Sequence, residues 1–180
     1  MVDRNVMRET ADQAVEISEQ LGATLDYSVM SIYVLEGILE ALSTINAEQS
    51  FDEEVLSGMA GTYGVYLGEC MLRHGLENAG YSWGEDYDGE PCLIRDHVPD
   101  GMSINKMVPI TKVYKRLVNG PEDSVSHFYN MTFAMVGVEP GSGDAASAPE
   151  ISFLNNGSTE VDVGISDKSA GIDAGKSAGF

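Results

Sequence analysis

Apolar and polar positions along this chain alternate at the spacing of helices before they alternate at any other. From Asn5 to Gln20, Val6, Ala11, Ala14, Val15 and Ile17 recur every three or four residues, Leu21 closes the stripe and Gly22 stops it. That pattern predicts an amphipathic helix with an outer face of Asp, Glu and Gln. A second helix is predicted from about Asp26 to Thr44, where Val29, Ile32, Tyr33, Leu35, Ile38, Leu39 and Leu42 form an apolar face wide enough to be mostly buried. A third opens at "SFDEEVL", with Ser50 or Asp52 as cap and Glu53 and Glu54 suited to the positive end of the helix dipole. Its stripe, Val55, Leu56, Met59, Tyr63, Tyr66 and Leu67, carries it to about His74.

Inside that third helix lies "GTYGVYLGEC", Gly61 to Cys70. A glycine in a helix interior costs about 1 kcal/mol relative to alanine, so Gly61, Gly64 and Gly68 make the segment expensive unless another backbone comes close. The segment is therefore expected to be a packing helix, with the glycines admitting either a hairpin or the last helix.

After Gly75 the pattern changes. Tyr81, Trp83 and Tyr87 precede Asp88-Gly89, and Cys92, Leu93 and Ile94 follow it, which predicts a β-hairpin with Pro91 marking an edge strand. A turn is expected at Pro99-Asp100-Gly101, then a third short strand and a short helix from Pro109 to Val118. The last helix is predicted to start at Pro121, to bury Val125, Phe128, Tyr129, Thr132 and Met135, and to end near Gly137. Of the 40 residues from Gly141 onward, 20 are Gly, Ala or Ser, too few apolar side chains to offset the entropy of ordering the chain. The expected organisation is one α+β domain over residues 1–138 and a low-complexity, disordered tail over 139–180. Two short strands at "EISFLNN" and "EVDVGIS" are the alternative for the tail.

Charge narrows the partners. The chain carries 10 Lys and Arg against 29 Asp and Glu, a net charge of −19, which argues against nucleic acid and anionic membranes and leaves a basic protein as the expected partner. The start, "MVDRNVMRETADQ", lacks the basic and apolar run of a signal peptide, and no unbroken apolar run approaches the ~18 residues of a membrane span. A cytoplasmic protein is expected, and Cys70 and Cys92 are expected to stay reduced.

Several residues carry candidate chemistry. Glu69, Cys70 and His74 share the glycine-rich helix, and a Glu base or a Cys nucleophile with His74 or His127 as its base is the catalytic possibility. Cys70, His74, Cys92 and His97 have the side chains of a tetrahedral zinc site, although their spacing matches no tight finger. Without that alternative, no metal and no cofactor are implied. Asp86 and Asp88 alternate as calcium ligands do, but His97 stands where the loop needs its bidentate glutamate, so a hairpin turn is expected instead. Lys106, Lys112, Lys115 and Arg116 gather four of the ten bases into "KMVPITKVYKR", the place where an anion or acidic partner would dock if these residues are not used for internal pairs. Tyr63, Tyr66, Tyr81 and Trp83 are positioned either to line a pocket or to join the core.

Taken in order, "GTYGVYLGEC", the strand "YSWGED" and "PITKVYKRLVNGPEDS" before a helix with "FY" resemble a bacterial family of domains of unknown function. The resemblance covers roughly Asp26 to Val136. It implies a small α+β domain of bacterial source and groups Glu69, Trp83, Lys112, Lys115 and Arg116 into one constellation, but brings no activity to carry over. Within it, Glu69 is expected to pair with a base of "KVYKR". The expected function is a non-enzymatic protein-binding or regulatory module, inhibitor-like or immunity-like, in which Tyr66, Trp83, Lys112, Lys115 and Arg116 contribute to binding. A hydrolase or metal-dependent enzyme using Glu69, Cys70 and His74 is the alternative.

Overall fold

Asp3 caps the first helix by accepting the Asn5 N–H at 2.8 Å, and α1 (Arg4–Gln20) runs from it. The computed structural model describes residues 2–97 and 104–141. Ser28 caps α2 (Val29–Gln49), five residues longer at its C-terminal end than the apolar pattern predicts. Then α3 (Glu53–Met71) continues into a widened π-type turn, Leu72–Leu76, where Gly75 adopts φ 132°, a conformation that favours glycine.

The polypeptide then forms β1 (Ser82–Glu85), β2 (Pro91–Ile94) and β3 (Lys106–Met107), an antiparallel sheet in the order β1-β2-β3. Ser82 opposes Ile94, Glu85 opposes Pro91, and Leu93 opposes Met107. The hairpin loop is longer than the tight Asp88-Gly89 turn expected from sequence. Asp86 accepts the N–H groups of Asp88 and Glu90, both at 3.0 Å, and Gly89 takes φ +83°. Pro91 lies on the middle strand, not an edge. It is tolerated because it is the first residue of β2, and β3 pairs only with Leu93 and Ile94.

Helix α4 (Pro109–Asn119) follows with Pro109 in its first turn. Pro121 falls in a single 3-10 turn, Gly120–Asp123, instead of opening the last helix. That helix, α5 (Val125–Val136), is capped by Ser124 and closed by Gly137 at φ +73°. The architecture is α+β, with five helices and a small antiparallel sheet among the described residues, as the sequence pattern predicts. The Pro99-Asp100-Gly101 turn and nearly all of the tail, residues 142–180, lie outside the described residues. Of the three tail residues that are described, Gly141 donates its N–H to the His74 carbonyl at 2.9 Å.

Helix α3 is the centre, packed most extensively against α4 and α1. Leu35, Leu39, Tyr66, Leu67, Met71, Val113, Leu117, Tyr129 and Phe133 make the innermost layer. The α1 stripe is rotated from expectation. Helix α1 buries the small residues Ala11, Ala14 and Ser18, leaving Val6 and Ile17 exposed. Small side chains let two helix axes approach closely, and the bulkier neighbours are then pushed to the flanks. Tyr33, Val55 and Met135, also placed on buried faces by the sequence pattern, are exposed. By length and hydropathy α2 could cross a membrane, against the expectation that no apolar run approaches such a span, although Glu36 and Glu40 interrupt it. Here Ile32, Leu35 and Leu39 are buried in the core, and both glutamates contact Arg116.

Candidate functional site

The glycines of α3 have separate reasons. A Cβ on Gly64 would stand 2.4 Å from the Ile110 Cα, and one on Gly68 would stand 2.4 Å from the Trp83 ring. The second admits the indole of β1, in the hairpin, as expected; the first admits the backbone of α4, not the hairpin or the last helix, so close packing holds at both but with a different partner at Gly64. Gly61 differs: nothing lies within 4 Å of its missing Cβ.

Trp83, seated over Gly68, donates its indole N–H to Glu69 Oε1 at 2.8 Å. The other carboxylate oxygen lies 3.7 Å from Arg73, one turn along the same helix, and the Arg73 guanidinium stacks 3.5 Å from the centroid of Tyr27. The expected pairing of Glu69 with "KVYKR" is therefore replaced by Trp83 and Arg73, which the hairpin and the helix itself supply. With 2 % of its side chain exposed, Glu69 is an internal pin.

Cys70 and His74 belong to a second internal network. Burial pushes the Cys70 thiol up to about 12, against the opposing hydrogen bonds from Tyr66 and Ser31. The Tyr66 hydroxyl shares a 2.7 Å hydrogen bond with Ser31 and accepts the Tyr27 N–H at 3.0 Å; burial raises its pKa as well. His74 Nε2 lies 2.7 Å from the Tyr27 carbonyl, which can only accept, so Nε2 carries the proton. In the neutral ring Nδ1 then accepts from the Tyr129 hydroxyl at 2.8 Å. These bonds hold Tyr27 at φ 59°, a left-handed conformation costly for a bulky residue.

Neither cysteine offers a usable thiolate. Cys92, on β2, is also buried, and burial raises its pKa. Both thiols are expected to resist a thiol-selective reagent at pH 7 in the native protein and to react stoichiometrically in denaturant. Rapid native labelling of Cys70 would show that its surroundings open.

The four residues of the zinc alternative do not gather: His74 has both ring nitrogens engaged, and His97 is exposed beyond β2. Among the described residues, no group of three or more His, Cys, Asp or Glu is placed to hold a metal. His127 is exposed on α5, where its backbone N–H serves the Ser124 cap.

The basic segment is also largely consumed. Arg116 is 1 % exposed and donates to Glu36 at 2.6 Å and to Glu40, leaving Nη1 without a partner. It is thus a core residue and cannot meet a partner protein, contrary to the binding role read from sequence. Lys112 pairs with Asp123 at 2.7 Å, and Lys106 lies 3.6 Å from Asp86. Lys115 is exposed. Trp83 and Tyr66, expected at a binding surface, face inward: Tyr66 is fully buried and Trp83 half-buried.

An apolar, outward-facing feature lies elsewhere. Leu21, Ala23, Val34, Gly37, Ile38, Ala41, Leu42 and Ile45 enclose a cavity of 430 Å³ between the end of α1 and α2. It adjoins a second of 270 Å³ lined by Ile17, Leu21, Leu42, Gly58, Met59, Thr62 and Tyr63. Leu21 and Leu42 belong to both, so the two form one apolar groove over α1, α2 and α3. Leu21 is 62 % exposed and Ile17 42 %. No Lys, Arg or His occurs between Arg8 and Arg73, so neither α2 nor α3 contributes a cation to this groove. Arg8 lies nine residues before Ile17, about 14 Å along α1, and Arg4 is paired with Glu77 at 2.6 Å. Two signals in the sequence point here: that cation-free run, and Gly37 and Gly58, helix-interior glycines with no neighbour within 4 Å of an added Cβ.

The chain matches no protein-family model, and no curated protein or solved structure matches it significantly.

Proposed function

We propose that this is a non-enzymatic, cytoplasmic protein-binding module of regulatory kind, which holds an apolar segment of another protein in the groove of α1, α2 and α3. The groove itself carries the reading. Two adjoining apolar cavities edged by exposed Ile17, Leu21, Val34 and Ile45 make a continuous hydrophobic surface on a strongly acidic chain. Contiguous patches of this kind mark interaction sites on soluble proteins. The internal placement of Glu69, Cys70 and His74 favours binding over hydrolysis, since none of the three presents a reactive atom to solvent.

Site-specific photo-crosslinking tests it. A benzophenone side chain replaces Ala41 or Thr62 in the groove, or Tyr87 or Lys115 away from it, in cells making the full chain. Ala41 and Thr62 are expected to yield adducts with one and the same protein, which Tyr87 and Lys115 do not reach. Adducts confined to Tyr87 or Lys115, or none from the groove, overturn the proposal.

A further inference from the structure

Resting on that reading, we infer that the occupant of the groove is a basic amphipathic helix, anchored by two apolar side chains and flanked by Lys or Arg. The groove walls are helices, and among the described residues no sheet edge borders it, so an incoming strand would find no backbone partner there. A helix needs only apolar side chains on one face. The two cavities, side by side, take side chains at successive turns of such a helix.

The glycines bear on the same point. Gly64 and Gly68 are explained by Ile110 and Trp83, whereas among the described residues Gly37 and Gly58 meet nothing within 4 Å, and they have ordinary helical backbones. Each leaves its helix backbone bare toward the groove, where a docked helix could approach closely.

Charge selects the occupant. Glu48 follows Ile45 by one turn, Glu54 precedes Gly58 by one turn, and Glu16 adjoins Ile17; all three are exposed. With no cation on α2 or α3 to neutralise them, an acidic segment is repelled and a basic one attracted. A second copy would bring the same acidic rim against this one and is disfavoured for that reason.

The test uses the full chain and three labelled peptides of about five helical turns, read by fluorescence anisotropy. The first has leucines at i, i+4, i+7 and i+11 with lysines elsewhere; the second replaces the lysines by glutamates; the third scatters the leucines of the first. The first is expected to bind at least about tenfold more tightly than the others, and less tightly at about 0.15 M salt than at low salt. Gly37→Met or Gly58→Met, and separately the pair Glu48→Lys with Glu54→Lys, are expected to reduce that binding about tenfold. Circular dichroism confirms that each variant is folded.

Equal or tighter binding of the glutamate peptide overturns the inference while leaving the groove as a binding site. So does the absence of any peptide binding when Ala41 and Thr62 still crosslink to a protein. Binding of the lysine peptide that ignores both methionine variants places it outside the groove and overturns the inference too. A dimer in sedimentation that Gly58→Met dissociates would assign the groove to a second copy, and groove-dependent binding to neutral phosphatidylcholine vesicles would assign it to lipid; either overturns the inference.

Discussion

Gly64→Ala is expected to destabilise the fold by about 3 kcal/mol, lowering the melting temperature by about 10 °C. The added methyl would lie 2.4 Å from the Ile110 Cα and 3.0 Å from its backbone nitrogen, so no rotamer change relieves the clash. Helix α4 must instead move away from α3, opening the most extensive helix contact in the molecule. Trimming the side chain by Ile110→Ala is expected not to rescue the variant, because the obstruction is main chain. Gly58→Ala supplies the control on the same helix. With nothing near its Cβ, it is expected to stabilise by about 0.5–1 kcal/mol through helix propensity alone. Thermal unfolding of the two variants beside wild type decides the matter. Equal effects at the two positions would mean that propensity, not close approach, governs this helix.

That contrast also shows what was legible in the sequence. Helix periodicity and turn chemistry are local, so five helices, the hairpin and the close packing behind "GTYGVYLGEC" could be read from residue order. The angle at which a helix presents its stripe is set by its neighbours. Val6, Ile17, Tyr33 and Val55 fit apolar stripes yet end up exposed, and on α1 the reason is that Ala11, Ala14 and Ser18 bring the helix in on a different face. Side-chain pairing was least legible. Glu69 pairs with Arg73, one turn away, and not with "KVYKR", while Arg116 bonds to Glu36, 80 residues away in sequence. The i,i+4 spacing favours Arg73 for Glu69, whereas no local spacing points from Arg116 to Glu36. The groove is less legible: Gly37 and Gly58 are as costly to their helices as Gly61, Gly64 and Gly68, but they do not cluster, and which face of a helix is left uncovered is set by its neighbours.

Arg116→Met is expected to cost about 2–3 kcal/mol at pH 7, measured by urea unfolding, and the loss is expected to shrink in acid. Methionine keeps much of the aliphatic volume and removes the charge, so the effect reports on the ion pairs. Glu36 Oε1 loses the Arg116 Nε–H at 2.6 Å, while Oε2 keeps the Ser126 N–H and the Ser124 hydroxyl, each at 2.8 Å. Glu40, about half exposed, turns to water, which keeps the cost below the ~3–5 kcal/mol of breaking a fully buried pair. In the wild type, burial works to raise the pKa of Glu36, but the hydrogen bonds from Ser126, Arg116 and Ser124 outweigh it and hold the pKa below the ordinary 4.5. A depressed folded-state pKa gives stability that is fully present above the unfolded value and is lost as pH falls through the folded one. Removing Arg116 raises the folded pKa of Glu36 toward or past that of the unfolded chain. The gap between wild type and variant should therefore be widest near neutrality and close progressively below about pH 4. Adding Glu36→Gln to Arg116→Met should recover part of the loss, because it removes the uncompensated carboxylate while keeping an acceptor for Ser124 and Ser126. A single variant as stable as wild type at pH 7, or a gap that does not change with pH, would show that the Arg116 cluster contributes packing and not charge pairing.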